Sequence, residues 1–233
     1  MTNKIRIKEK AITSDQMYKI EDKAHSLMGM RRVYMMENAG HGLADFVTAR
    51  FKSKLRGKKI VTICGTGNNG GDGFVASRHL SGYYDDTNIT VVLLGSPTDL
   101  RTEEAKVNWD IIEKMDTIEI IFGKELNDQA KDKIANADII IDGIFGTGIR
   151  GEIHEPHAST IELINKSNAY VISVDIPSGI DPNTGKAHAQ TVKADATVTF
   201  HRMKIGLLGN KKYTGVVHIE LIGIPRESER GVV

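Results

Sequence analysis

At 233 residues the chain has room for one large domain or two small ones and for a sizeable buried core, and its 40% hydrophobic content is that of a soluble globular protein. With 31 basic and 30 acidic side chains the net charge is +1, which excludes the broad electrostatic face of a nucleic-acid or acidic-lipid binder. A lone cysteine, Cys64, excludes an intrachain disulfide, and no apolar run approaches a membrane span. Met1 to Lys10 is polar and basic without the apolar stretch of a signal peptide, so the expected compartment is the cytoplasm and no membrane partner is expected.

Taken in chain order, Thr13 and Gln16 read as a capping box opening a helix with Met17, Ile20, Ala24 and Leu27 at helical spacing. A second helix is predicted over Val33 to Lys54, its small residues at Met36-Glu37-Asn38-Ala39-Gly40 permitting close packing. Beyond Lys58 the pattern switches to alternation. Apolar strands are predicted at Ile60–Ile63, Ile89–Leu94, Thr117–Phe122, Asp138–Ile141 and Tyr170–Val174, with two further runs at Ala196–Phe200 and Val216–Ile222. Helices are predicted between them at Phe74–Tyr83, Leu100–Met115, Glu125–Asn136 and from Pro156 to Lys166. Continuously apolar strands alternating with helices imply a Rossmann-like three-layer α/β/α sandwich on a mostly parallel sheet. The last two runs lack a convincing helix between them, which leaves room for an antiparallel edge. One domain is expected over 1–233, with N-terminal helices at 13–54, an α/β core at 58–224 and a frayed polar tail at 225–233.

Gly65-Thr66-Gly67-Asn68-Asn69-Gly70 is a G-x-G-x-x-G string between a strand and a helix, the dinucleotide fingerprint in its expected context. Two features argue against a hydride-transfer enzyme. The second strand ends in Gly95-Ser96-Pro97 with no acid for a ribose hydroxyl, and the loop runs on through Gly71-Asp72-Gly73, placing a carboxylate beside the amides a pyrophosphate needs. Without a lysine it is no P-loop either.

Two more polar turns follow strands that should end on the same sheet edge, where ligands of open parallel sheets bind. One is Asp142-Gly143-Ile144-Phe145-Gly146-Thr147-Gly148-Ile149-Arg150-Gly151, whose glycines suit a phosphate cradle, and the other is Asp175-Ile176-Pro177-Ser178-Gly179-Ile180-Asp181. Either aspartate alone reads equally as a turn residue. Together with Asn69 and the Ser178 hydroxyl they offer hard oxygen ligands to a cation.

These strings, with Asn68-Asn69-Gly70-Gly71-Asp72-Gly73 the most specific, resemble the NAD(P)H-hydrate epimerase family, the stand-alone YjeF N-terminal type of domain. The resemblance extends to Met36–Gly40 and to Thr199-Phe200 through Lys204-Ile205-Gly206-Leu207, with Met203 standing where the family is expected to carry proline. It implies an often dimeric enzyme that interconverts the R and S forms of hydrated NADH and NADPH for a dehydratase downstream. It places Asn68, Asn69, Gly70, Gly71, Asp72, Gly146, Thr147, Gly148, Ile149, Arg150, Gly151, Glu152 and Asp175 against the hydrated nucleotide and a potassium ion on Asn69, Asp142 and Ser178. The chain ends too early to hold a dehydratase domain, so a separate partner is expected.

Chemically, the substrate's hydroxyl sits on a ring carbon next to nitrogen. The nitrogen lone pair can expel that hydroxyl once an acid protonates it, and water can return to either face of the planar iminium. Asp175, at a strand end in the middle of the expected cleft, is the predicted acid and base. The competing readings are a non-catalytic scaffold of the same fold and, behind it, an NAD-dependent oxidoreductase. His154 and His157 are expected at the surface, His79 and His201 to pack or face solvent, Cys64 and Trp109 to belong to the core, and Lys4, Arg6, Lys8 and Lys10 to be solvated.

Overall fold

The computed structural model describes residues 10–83, 86–149 and 151–233, so Lys4, Arg6 and Lys8 lie outside the described residues, while Lys10 is exposed. Helices α1 (Ser14–Met28) and α2 (Arg32–Phe51) come first. The alternation follows as β1 (Lys59–Cys64), α3 (Asn68–Ser81), β2 (Asn88–Leu94), α4 (Glu103–Ile112), β3 (Ile118–Gly123) and α5 (Asp128–Ala135). Its second half is β4 (Ile139–Gly143), α6 (His157–Lys166), β5 (Tyr170–Val174), β6 (Ala196–Phe200), the short α7 (Lys211–Thr214) and β7 (Val216–Glu220).

The strands form one sheet in the order β3-β2-β1-β4-β5-β6-β7, with every neighbouring pair parallel. β6 and β7 therefore do not form an antiparallel edge. The segment between them, including a 3-10 turn at Ile205–Leu207 and α7, is long enough to carry the chain back for a parallel crossover. From β1 the chain moves outward through β2 to β3, then returns to β4 on the other side of β1. The switch point of strand order thus falls between the carboxyl ends of β1 and β4.

Alternate residues of each strand feed opposite cores, as the pleat requires. Ile60 and Cys64 of β1, with Ile139 and Ile141 of β4, pack under α1–α4. Val61, Ile63 and Ile140 face the other way, toward Ala130 and Ile134 of α5 and Ile161 and Ile164 of α6. Each such aliphatic side chain, removed from water, contributes about 1.5–3 kcal/mol. The capping box of α1 forms as predicted, Thr13 Oγ1 accepting from Gln16 N and Gln16 Oε1 from Thr13 N, but Leu27 is exposed and not part of the buried stripe.

The segment after Pro225 is packed, not frayed. A 3-10 turn at Arg226–Glu229 lies against α1, Gln16 donates to the Val232 carbonyl, and Arg202 makes a two-pronged pair with Glu229 at 2.8 and 2.6 Å. His201 is buried beside that same carboxylate.

Candidate functional site

The first polar turn is not a loop. α3 begins at Asn68 with Gly67 as its cap residue, so Asn69 to Gly73 occupy the opening turns of a helix and not its approach. Gly70 and Gly71 serve the packing of that helix. A Cβ at Gly70 would overlap the Gly65 carbonyl oxygen, and one at Gly71 would meet the Met36 side chain. Small residues here let α3 seat deep against β1 and α2. Asp72 is left in the cleft wall with a carboxyl that burial pushes well above the usual range, with Asp175 and Glu21 adding to the rise. A neutral Asp72 can donate a hydrogen bond as well as accept one.

β4 runs through Asp142, so that residue lies within the strand and is fully buried. Its carboxylate accepts from Ser173 Oγ at 2.7 Å, from Ser178 N at 2.9 Å and from Ser178 Oγ at 2.5 Å. Ser178 Oγ in turn accepts from Phe145 N at 2.9 Å, tying the second and third turns together. Burial raises the Asp142 carboxyl despite these donors. Asn69 is buried nearby, its Oδ1 toward Gly146 and its Nδ2 without a hydrogen-bond partner. Asn69 and the Asp142–Ser178 pair therefore both border the Phe145-Gly146 turn near the switch point. Amide, carboxylate and hydroxyl oxygens around a buried acid form a hard donor set that fits a cation such as potassium. Among the described residues no group of three or more His, Cys, Asp or Glu side chains could hold a metal ion.

Asp175 follows β5 in a left-handed conformation, φ 61°, that aspartate tolerates better than most residues. One oxygen, Oδ1, accepts from Lys204 Nζ at 2.5 Å, Thr199 Oγ1 at 3.0 Å and Phe200 N at 3.2 Å. Lys204 is almost wholly buried and spends its other donors on Thr199 Oγ1 and the Phe200 carbonyl. Its backbone is set by the N-terminal segment. Ile12 N donates to the Met203 carbonyl at 2.9 Å, and Ile205 N to the Ile12 carbonyl at 3.0 Å. Methionine in place of the expected proline thus leaves the lysine firmly aimed at Asp175.

These groups open into one cleft of about 1000 Å³, large enough for a dinucleotide. Of the predicted contact residues, Asn68, Asn69, Asp72, Gly146, Thr147, Gly148, Ile149, Glu152 and Asp175 line it. Gly70, Gly71 and Gly151 are not in its wall, Asp142 and Ser178 lie behind it, and Arg150 is outside the described residues. The lining also includes residues not predicted to act there, among them Tyr18 and Glu21 from α1, His157, whose ring is 4.8 Å from Phe145, and Lys204. Burial lowers the His157 imidazole. Burial also pushes the Glu21 carboxyl up to about 7, against the attraction of Lys204 and with the help of Asp175. A helical acid one step past an apolar stripe carries no sequence signal of such a role.

Residues 33–206 match the family model described as YjeF-related protein N-terminus. The chain belongs to this family. This YjeF-related chain is 46% identical over 222 residues to the NAD(P)H-hydrate epimerase of Nitrosopumilus maritimus, covering 95% of itself and 99% of that protein. It is 47% identical over 222 residues to the enzyme of the same name in Cenarchaeum symbiosum, with the same coverage. Similarity of 42% over 224 residues to the bifunctional NAD(P)H-hydrate repair enzyme Nnr of Pyrobaculum aerophilum takes in 94% of this chain but 43% of that one. In fold the YjeF-related chain is similar to the crystal structure of yeast ynu0, with a TM-score of 0.77 at 23% identity over 91% of this chain and 88% of that one. Among the described residues no helix is long and apolar enough to cross a membrane.

Proposed function

We propose that the chain is an NAD(P)H-hydrate epimerase, an isomerase that interconverts the R and S forms of hydrated NADH and NADPH. The observation that carries the reading is the buried Lys204–Asp175 pair in the wall of a dinucleotide-sized cleft, in a chain that aligns end to end with relatives named for this activity. Asp175 is the base toward water entering at the iminium carbon. Lys204, Thr199 and the Phe200 amide all converge on one of its oxygens and leave the other for the reacting atoms. Asn68, Asn69, Asp72, Glu152 and the Gly146–Ile149 turn bind the nucleotide. The experiment is chromatographic. Pure R hydrate should equilibrate with S far faster with the protein than without it, and Asp175→Asn should slow this by roughly 10²–10⁴-fold. An Asp175→Asn protein working at the parental rate removes the assignment.

Asn69, Asp142 and Ser178 would hold potassium, which when bound supplies fixed positive charge against the substrate phosphates. The buried Asn69 Oδ1 beside the Gly146 turn and the buried Asp142 carboxyl support that reading. Replacing potassium by choline should lower the rate at least about tenfold through a higher KM; an unchanged rate at all salt compositions argues against the ion. We further infer a cytoplasmic homodimer serving a separate dehydratase, with exposed Leu27, Met28 and Tyr34 as apolar surface for the dimer contact. Light scattering at the monomer mass would remove the dimer.

A further inference from the structure

We infer that Glu21 is the second carboxyl of the reaction, acting on the face of the substrate ring opposite Asp175. The proposal rests on the epimerase reading and deepens it. Epimerisation needs a hydroxyl to leave one face and water to arrive on the other. A single carboxylate fixed in place by its pairing with Lys204 serves one face of the ring. A second group must stand across the cleft.

Glu21 reaches the cleft from α1, a different element from β5, which Asp175 follows. It projects from α1 into the same cleft as Asp175, Asp72 and Lys204, with Met17 and Tyr18 beside it. It accepts no hydrogen bond from any described residue, so its carboxyl is uncommitted, whereas Asp175 is held by three donors. α1 itself is fixed over the cleft by Ile12 at the Lys204 segment and by Tyr18, whose hydroxyl accepts from Thr147 Oγ1 at 3.2 Å. The charged groups that bear on Glu21 are Lys204 and Asp175 from the core, Asp72 from α3, Arg32 from α2 and Asp22 on its own helix. Burial outweighs them and raises the Glu21 carboxyl to about 7, so it can hold a proton in the cleft, while Asp175 is held against the Lys204 ammonium. An uncommitted carboxyl that can keep its proton and a second one held by an ammonium can divide the work of acid and base.

The step balances. The Glu21 proton goes to the hydroxyl oxygen, the C–O bond breaks with its electron pair leaving as water, and the ring nitrogen lone pair forms the C=N bond. A water oxygen then bonds to that carbon from the other face. The nitrogen recovers its pair, and the surplus proton passes to Asp175. The opposite direction runs from the state this leaves.

The test separates loss of hydroxyl from change of face, using each pure hydrate in ¹⁸O-labelled water, with thermal melting to confirm folding. Wild type should incorporate label into both epimers while equilibrating them. Glu21→Gln should cut epimerisation roughly 100-fold or more, and label should enter only one of the two epimers, with retained configuration, through Asp175. Asp175→Asn should reverse which epimer is labelled. Glu21→Asp, which keeps the acid on a shorter arm, should restore labelling of both at a reduced rate. Parental rates in Glu21→Gln, or an equal loss of label from both epimers, overturn the Glu21 assignment alone. A wild-type protein that leaves R hydrate unchanged overturns the epimerase reading itself.

Discussion

Lys204, Asp175, Asp72 and Glu21 put three acids around one ammonium, and burial raises the Asp72 and Glu21 carboxyls toward their neutral forms. Such a site costs stability in order to hold reactive groups. Glu21 binds its proton more tightly in the folded chain than unfolded, because burial raises its carboxyl from 4.5 to about 7. The native state therefore loses stability as pH rises from 4.5 to about 7 and stays at that lower level above it. Glu21→Gln, which cannot ionise, should be more stable than the parent at pH 8, by about 1–2 kcal/mol after solvent screening, and the gain should vanish below pH 4.5. Urea titrations of both proteins at pH 4.5 and pH 8 measure this. A variant less stable than the parent at pH 8 would mean that the carboxylate is compensated in the fold.

α3 shows how glycines that read as a ligand-binding loop can be packing devices. Gly70 has no room for a methyl group beneath the Gly65 carbonyl. Gly70→Ala should thus destabilise by about 1–3 kcal/mol despite alanine's better helix propensity, and a melting curve checks the sign. The reason is also the reason α3 was misplaced in the sequence. Asn-Asn-Gly-Gly-Asp-Gly has poor intrinsic helicity, and only contacts with β1 and α2, invisible locally, make it the start of a helix. The strands were legible because Ile60–Ile63, Ile139–Ile141 and Tyr170–Val174 are apolar throughout, and Asp142, Asp175 and Ser178 were legible because each follows or ends such a run. The direction of β7 and the place of Glu21 were not. The first depends on the short turns that carry the chain from β6 to Val216, the second on the pairing of Ile12 with the distant Lys204. Lys204 was legible as a motif residue, though its aim at Asp175 was not.

Across the whole molecule, the segments at the two ends of the described residues brace the site. Ile12 pairs with the Lys204 segment, while the C-terminal turn clamps α1 through Gln16 and Val232 and reaches the end of β6 through Arg202 and Glu229. The helix that bears Glu21 is thereby held against a core to which it is joined by few covalent links. The common direction of all seven strands has a further outcome for anyone handling the protein. Every carboxyl end opens on the rim that does the chemistry, and every turn on the far rim merely reverses the chain. A short flexible peptide spliced between Ser167 and Asn168, before β5, should leave turnover within about twofold, while the same splice between Thr147 and Gly148 should abolish it. The far rim is where a tether to a solid support or a reporter can be attached, keeping the mouth of the enzyme clear.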